Sequence, residues 1–216
     1  MFARSMNWVE DRLHLQEPAK AVFDHPVPKG VTMLHCFGGL TFFTFLLQVA
    51  TGIVMTFFYV PTPDHARDSV AYFQTEVPFG TFIRNLHRWG AYLMVGLVVA
   101  HMLRVLVHGA YRRPREMNWV LGTVLLMVTL GFGFTGYLLP WDQKAYWATN
   151  VGINIASVTP VIGGYIGSFL RGGPELGALT LSRFYALHVF ILPITLSLGL
   201  VGHFAMVRRQ GIARPL

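Results

Sequence analysis

Four histidines lie inside long apolar stretches of this 216-residue chain: His87 and His101, then His188 and His203. An imidazole is costly to bury in a bilayer, so histidines there are usually kept for a ligand or a proton path. The first two are 14 residues apart and the second two 15. On α-helices rising about 1.5 Å and turning about 100° per residue, each separation spans roughly 21–22 Å and returns to nearly the same face. With the two helices running in the same direction, His87 faces His188 at one depth and His101 faces His203 at another. Imidazoles from opposite sides suit the two axial positions of iron in a planar macrocycle, so each pair is suited to hold one haem between helices. Zinc would need three or four converging ligands, and no Cys, Asp or Glu lies at the right depth to complete them. A single intramembrane histidine reads equally well as a hydrogen-bonded interior residue; four at matched depths point to a ligand role.

The same spacing recurs in glycine. Gly38 and Gly52 are 14 apart, as are Gly122 and Gly136, each pair on a different apolar stretch from the histidines. Glycine serves ordinary helix packing in membranes, but at this period it also leaves room for a bulky flat group. Haem propionates need cationic partners near the membrane surface, and guanidinium groups supply paired hydrogen bonds to carboxylates. Arg84, Arg88 and Arg183 lie toward the His87 and His188 level, and Arg104 and Arg208 toward the His101 and His203 level. Each could equally be an interfacial anchor that snorkels to headgroups. His14, His25, His65 and His108 fall outside the apolar stretches and read as surface residues.

The elements that must carry these residues are four membrane spans, expected at about 33–60, 82–106, 118–139 and 184–206, each long enough for the roughly 20 helical residues a bilayer requires. Apolar residues make up 53% of the chain and charged residues only 12%, with a mean hydropathy of +0.48. The fold class is therefore all-α integral membrane, a four-helix bundle with short surface helices. Residues 1–31 read as an amino-terminal surface segment rather than a cleavable signal, because Glu10, Asp11, Arg12, Glu17 and Asp24 interrupt it and no apolar core is present. Residues 32–216 are the bundle. The net charge of +7 comes from dispersed Lys and Arg with no continuous stripe, which argues against nucleic-acid binding. Between the first two spans lie Asp64, Asp68 and Glu76 with Arg67, whereas the second loop and the carboxyl terminus carry six arginines against Glu116. That asymmetry places the second loop and both termini on the cytoplasmic side of a cell membrane. The long connection from Trp141 to Arg183 is expected to form short helices along the outer surface. With one cysteine, Cys36, no internal disulfide is possible.

The segments CFGGLTFF (36–43), QVATGIVMTFFY (48–59), FGTFIRNLHRWGAY (79–92), HMLRV (101–105), GFGFTGYLLPWDQKAYWA (131–148), LSRFYALHVFILP (181–193) and HFAMVRRQGIARPL (203–216) closely resemble cytochrome b6 and the amino-terminal half of cytochrome b. The 15-residue histidine spacing resembles the split form, most like the menaquinol-using versions of Gram-positive bacteria. The resemblance implies a subunit of a quinol-oxidising complex that passes one electron to a Rieske iron–sulfur protein, and on to a c-type cytochrome or a plastocyanin-type acceptor. The second electron would travel between two b haems, outer on His87 and His188 and inner on His101 and His203, to reduce quinone near the cytoplasmic face and contribute to proton translocation. It further implies a covalently attached haem c at Cys36, a separate subunit IV carrying the rest of cytochrome b, and a dimeric complex in membrane lipid. His35 departs from the tyrosine the family commonly places before this cysteine. Tyr137, Pro140 and Trp141, with the stretch near 143–162, would wall the quinol pocket, whose acidic loop belongs to subunit IV. Asp142 is expected to serve the turn rather than proton transfer. Membrane anchors of hydrogenase or formate dehydrogenase type also ligate haem with paired histidines, but lack this combination of glycines, PWD turn and terminal motif. A haem-free transporter would need the histidines to line a path.

Overall fold

The computed structural model describes residues 10–12 and 30–213, and residues Thr32–Gly211 form one compact unit. Within it, a short 3-10 turn at Met33–Cys36 leads into α1, Phe37–Thr56. A ten-residue helix α2, Ala66–Thr75, follows, then α3, Gly80–Val107, and α4, Glu116–Leu138. Two surface helices, α5 (Gln143–Ser157) and α6 (Gly163–Arg171), precede α7, Ala178–Ala186. A π turn at Leu187–Ile191 joins α7 to α8, Leu192–Gln210, so that the last span runs continuously from Ala178 to Gln210.

The four expected spans are present, with shifted limits. The first is helical only to Thr56 rather than to residue 60, because the chain turns at Phe57 and Phe58 before reaching Pro61. The last begins at Ala178, six residues before the expected 184, since Thr180, Leu181 and Phe184 are buried and extend the apolar pattern backwards. The α2 helix was not expected. It carries Asp68 in its first turn, where an anion suits the helix N-terminus, and buries Ala66 and Phe73. The Trp141–Arg183 connection does form short helices, as its length and apolar patches suggest. Asp142 caps α5, its carboxylate accepting from the Ala145 N–H at 2.8 Å.

Two helix pairs, α1 with α3 and α4 with α8, make the most extensive contacts. They meet in a layer to which each span contributes one buried side chain: Phe45, Met94, Leu125 and Leu196. Phe45 lies midway between Gly38 and Gly52, Met94 midway between His87 and His101, and Leu196 between His188 and His203. The layer therefore lies between the two levels of the bundle, joined there by the buried Thr129, whose hydroxyl donates to the Leu125 carbonyl at 2.9 Å. Only 11–17% of the residues in the hydropathic windows of the spans are buried within the chain, so most of their apolar surface faces outward, as lipid contact requires.

The π turn settles how a 15-residue spacing can match a 14-residue one. On an unbroken α-helix, 14 residues return about 40° short of the starting face and 15 overshoot it by about 60°. A π turn takes up one extra residue without adding a turn, and it lies at His188 itself. Pro193 follows two residues beyond it. Proline has no N–H to return to the carbonyl four residues earlier, and the widened turn falls where that bond would be missing.

Candidate functional site

The structure brings the four histidines together as the spacing predicts. The His87 and His188 ring centroids are 6.4 Å apart, and those of His101 and His203 are 6.5 Å apart. Those distances are compatible with a metal ion held between the rings. A metal–nitrogen bond of about 2 Å on each side, plus the short reach from ring nitrogen to ring centre, sets two trans imidazoles slightly more than 6 Å apart. Among the described residues no group of three or more His, Cys, Asp or Glu converges, which removes a tetrahedral protein-only metal centre.

Each glycine faces one of these imidazoles. A Cβ on Gly136 would lie 2.6 Å from His188 Cε1, one on Gly38 3.1 Å from His101 Cε1, and one on Gly52 3.4 Å from His87 Cε1. On Gly122 it would meet His203 Cε1 at 3.7 Å, an ordinary contact. The matching 14-residue periods thus have a direct cause: the glycines of α1 and α4 leave space for the rings projected by α3 and the last span.

Two residues that sequence reasoning missed orient the pair formed by His87 and His188. The Thr51 hydroxyl donates to the Leu47 carbonyl at 2.7 Å, and the Thr135 hydroxyl donates to the Gly131 carbonyl at 2.8 Å. With that proton on the carbonyl, each oxygen is placed to accept from the ring, His87 Nδ1 at 2.8 Å and His188 Nδ1 at 3.0 Å. In that arrangement the rings carry their proton on Nδ1 and keep Nε2 as a lone pair, the state a metal ligand needs. The signal was available, since each threonine immediately precedes a glycine of that level. At the His101 and His203 level the corresponding residues are Phe37 and Leu121. There His203 Nδ1 is buried with no hydrogen-bond partner among the described residues.

A single pattern therefore describes the bundle: two levels, each with two opposed imidazoles on a glycine floor, separated by an apolar layer. Residues 22–211 match the family profile described as "Cytochrome b/b6/petB". The chain belongs to the cytochrome b/b6 family. It is 47% identical to a protein named menaquinol:cytochrome c reductase cytochrome b subunit from Geobacillus thermodenitrificans, over 100% of both chains. Identity to a cytochrome b6 of Prochlorococcus marinus is 46%, over 97% of this chain and 96% of that one. Among solved structures it superposes on a chain of a "Hyperthermophilic respiratory Complex III" with a TM-score of 0.87 at 31% identity, covering 97% of this chain. This cytochrome b/b6 chain spans 56% of that longer chain. Membership in the family implies b haems, and the paired rings, bare Nε2 atoms and glycine clearances fit them.

The remaining predicted residues of this cytochrome b/b6 chain are distributed unevenly. Arg84 is half-buried beside Arg88 and within electrostatic reach of Asp142, while Arg88 and Arg208 are exposed. The guanidinium of Arg183, expected near an outer propionate, donates to the Phe169 carbonyl, reaches Ser168 O at 3.5 Å and lies over the Phe169 ring. The carbonyls at the end of α6 attract it there, although that of Ser168 also accepts the Gly172 N–H at 3.0 Å. Arg104 keeps two buried guanidinium nitrogens, Nε and Nη2, without hydrogen-bond partners among the described residues. Cys36 is a free, exposed thiol. Tyr137 is half-exposed, and Trp141 adopts a left-handed φ of 50° just beyond Pro140, packing edge-on against Tyr146. Tyr59 donates to the Leu139 carbonyl at 2.6 Å and stacks on Tyr185, tying the ends of three spans together next to Pro140. Burial, and then the neighbouring Tyr185 phenol, hold the Tyr59 proton well above the ordinary tyrosine range. His14 and His25 lie outside the described residues. His65 is exposed, whereas His108, expected at the surface, is half-buried with its ring against His35.

Proposed function

We propose that this chain carries electrons across the membrane within a quinol-oxidising complex of the cytochrome bc or b6f type, from an outer quinol-oxidation site to an inner quinone-reduction site. The observation that carries the reading is the duplication of one site at two depths, with paired rings 6.4 and 6.5 Å apart. Bound between each pair, b haem would supply a one-electron couple, with His87 and His188 as outer ligands and His101 and His203 as inner ones. The protein holds the outer imidazoles in the Nδ1–H tautomer through Thr51 and Thr135, and keeps water from between the levels with Phe45, Met94, Leu125 and Leu196.

Tyr137, Pro140 and Trp141 are proposed to form one wall of a quinol pocket completed by a separate subunit IV. An electron delivered inward through a low-dielectric layer, with protons released outside and taken up inside, charges the membrane. Arg84 and Arg88 at the outer level and Arg104 and Arg208 at the inner one are the residues proposed to face propionates. Cys36, exposed at the start of α1, is proposed to carry a covalent haem c. The names of the relatives support a menaquinol and a cytochrome c acceptor. Under this reading a Rieske protein is the outer electron acceptor, the complex is dimeric, and both termini are cytoplasmic.

The test is a reduced-minus-oxidised spectrum of the purified chain, acidified-acetone extraction, and haem staining after denaturation. Two extractable b haems and one chain-bound haem lost in Cys36→Ala is the expected result. Two b haems without bound haem would remove the Cys36 assignment, and no haem would overturn the whole reading.

A further inference from the structure

The end of α4 is held by a residue from another span. Beyond Thr56 the chain leaves α1 through Phe57 and Phe58, and the Tyr59 N–H still donates to the Met55 carbonyl at 3.1 Å, which ties Tyr59 to the end of that helix. Its hydroxyl donates to the Leu139 carbonyl at 2.6 Å. The last carbonyls of a helix lack intrahelical donors, and here the chain bends away after Pro140, where Trp141 takes a left-handed φ of 50°. A tryptophan in that region is costly and persists only where its surroundings hold it. On the far side of the turn the Asp142 carboxylate accepts the Ala145 N–H at 2.8 Å, and the Trp141 ring stands edge-on to Tyr146, centroids 5.8 Å apart. On the near side stands the Tyr59–Leu139 bond, which spans 80 residues of sequence.

The same phenol also reaches the span that carries His188. Its ring stacks on Tyr185, centroids 5.3 Å apart and planes 27° from parallel. Tyr185 lies three residues before His188, about one helical turn. Gly136, whose Cβ would come within 2.6 Å of the His188 ring, lies three residues before Leu139. One side chain therefore closes a circuit, from His188 through Tyr185 and Tyr59 to Leu139, and back through Gly136 to His188. Burial of the phenol, and then the Tyr185 phenol, hold its proton in place, so that it remains a donor.

We propose that Tyr59 is a positioning residue for quinol oxidation: its hydroxyl, by holding the Leu139 carbonyl, fixes the Pro140–Trp141 wall of the pocket against the span that carries His188. Tyr59 acts through the turn and not on the quinol. The inference rests on the quinol-pocket reading above and adds a residue to it. A wall free to shift binds quinol less tightly. It leaves the imidazoles in place, because Thr51 and Thr135 approach His87 and His188 whatever the phenol does.

The experiment is steady-state oxidation of a short-chain menaquinol analogue by the purified, haem-loaded complex, with cytochrome c as acceptor, comparing wild type with Tyr59→Phe. Phenylalanine keeps the stack and removes one hydrogen bond. The expected result is a quinol KM raised about fivefold, the size of one net hydrogen bond, with kcat, haem content and both b haem potentials as in wild type. Para-aminophenylalanine at position 59 restores an N–H donor and should return KM toward the wild-type value. An unchanged KM in Tyr59→Phe would overturn the proposal. A raised KM that para-aminophenylalanine does not lower would overturn it too, as would a loss of kcat in step with haem content, the sign of a merely structural role. Should Tyr59→Phe fail to assemble, para-aminophenylalanine against para-fluorophenylalanine gives the same comparison at the volume of the phenol. A wild-type complex that holds its haems but does not oxidise quinol would instead defeat the functional reading on which the inference rests.

Discussion

At the residue scale, the two levels differ in how their imidazoles are held. Thr51 and Thr135 accept from Nδ1 of His87 and His188, whereas His203 Nδ1 has no such acceptor among the described residues. A hydrogen bond from the distal imidazole nitrogen raises ligand basicity and favours the more positive metal state. Replacing Thr51 with valine should therefore raise the outer haem potential and leave the inner one unmoved, while Thr51→Ser should behave as wild type in the same redox titration. An outer couple indifferent to Thr51→Val would mean the bond does not tune the site. The glycines give a second comparison. An alanine Cβ at position 136 would approach His188 Cε1 to 2.6 Å, but at position 122 would meet His203 Cε1 at 3.7 Å. Gly136→Ala should accordingly lose more haem than Gly122→Ala when haem per chain is measured by extraction.

At the element scale, the π turn at Leu187–Ile191 is what lets the last span present His188 and His203 as α3 presents His87 and His101. Phe190 lies within it and is 57% exposed, so its removal takes no side chain from the core. Deleting Phe190 shortens the histidine spacing to the 14 residues of α3 and should let the turn close as ordinary α-helix, with both b haems retained. Inserting one alanine after Leu196 should instead rotate His203 by about 100° and abolish the inner haem. Low-temperature spectra that resolve the two b haems distinguish these outcomes. Loss of either haem in the Phe190 deletion would show that the π turn has a role beyond spacing.

At the scale of the whole molecule, the layer of Phe45, Met94, Leu125 and Leu196 keeps the two levels apart while joining all four spans. Leu196 is only 2% exposed, and truncating a buried leucine to alanine costs about 2–5 kcal/mol where the cavity cannot collapse. Leu196→Ala should lower the thermal unfolding midpoint of the detergent-solubilised protein and release both haems together; loss of one haem at an unchanged midpoint would contradict a shared layer. Orientation belongs to this scale too. A cysteine at Arg113, on a Cys36→Ala background, should react with impermeant thiol reagent only in inverted vesicles, and one at Asp64 only in right-side-out cells. The reverse pattern would invert the assignment of outer and inner sites.

Residue type and spacing alone determined the four spans, the pairing of His87 with His188 and of His101 with His203, and the short helices after Trp141. The physical reason is that a bilayer leaves the backbone little choice but helix, and on a helix a spacing is a depth and a face. Where the rules of the bilayer stop, at Thr56, at the amphipathic α2 and at the early start of α7, the sequence reading lost its limits, because burial of Phe73, Leu181 and Phe184 depends on neighbours distant in the chain. Only the tertiary structure decided the rest. It showed that a 15-residue spacing needs a π turn to keep its face, that Arg183 reaches the carbonyls of α6, and that two threonines stand within hydrogen-bond distance of His87 and His188. It also left buried nitrogens of His35 and Arg104 without a hydrogen-bond partner among the described residues. Each of these is a contact between helices or a local departure from regular helix, and neither kind of information is carried by the period of a single segment.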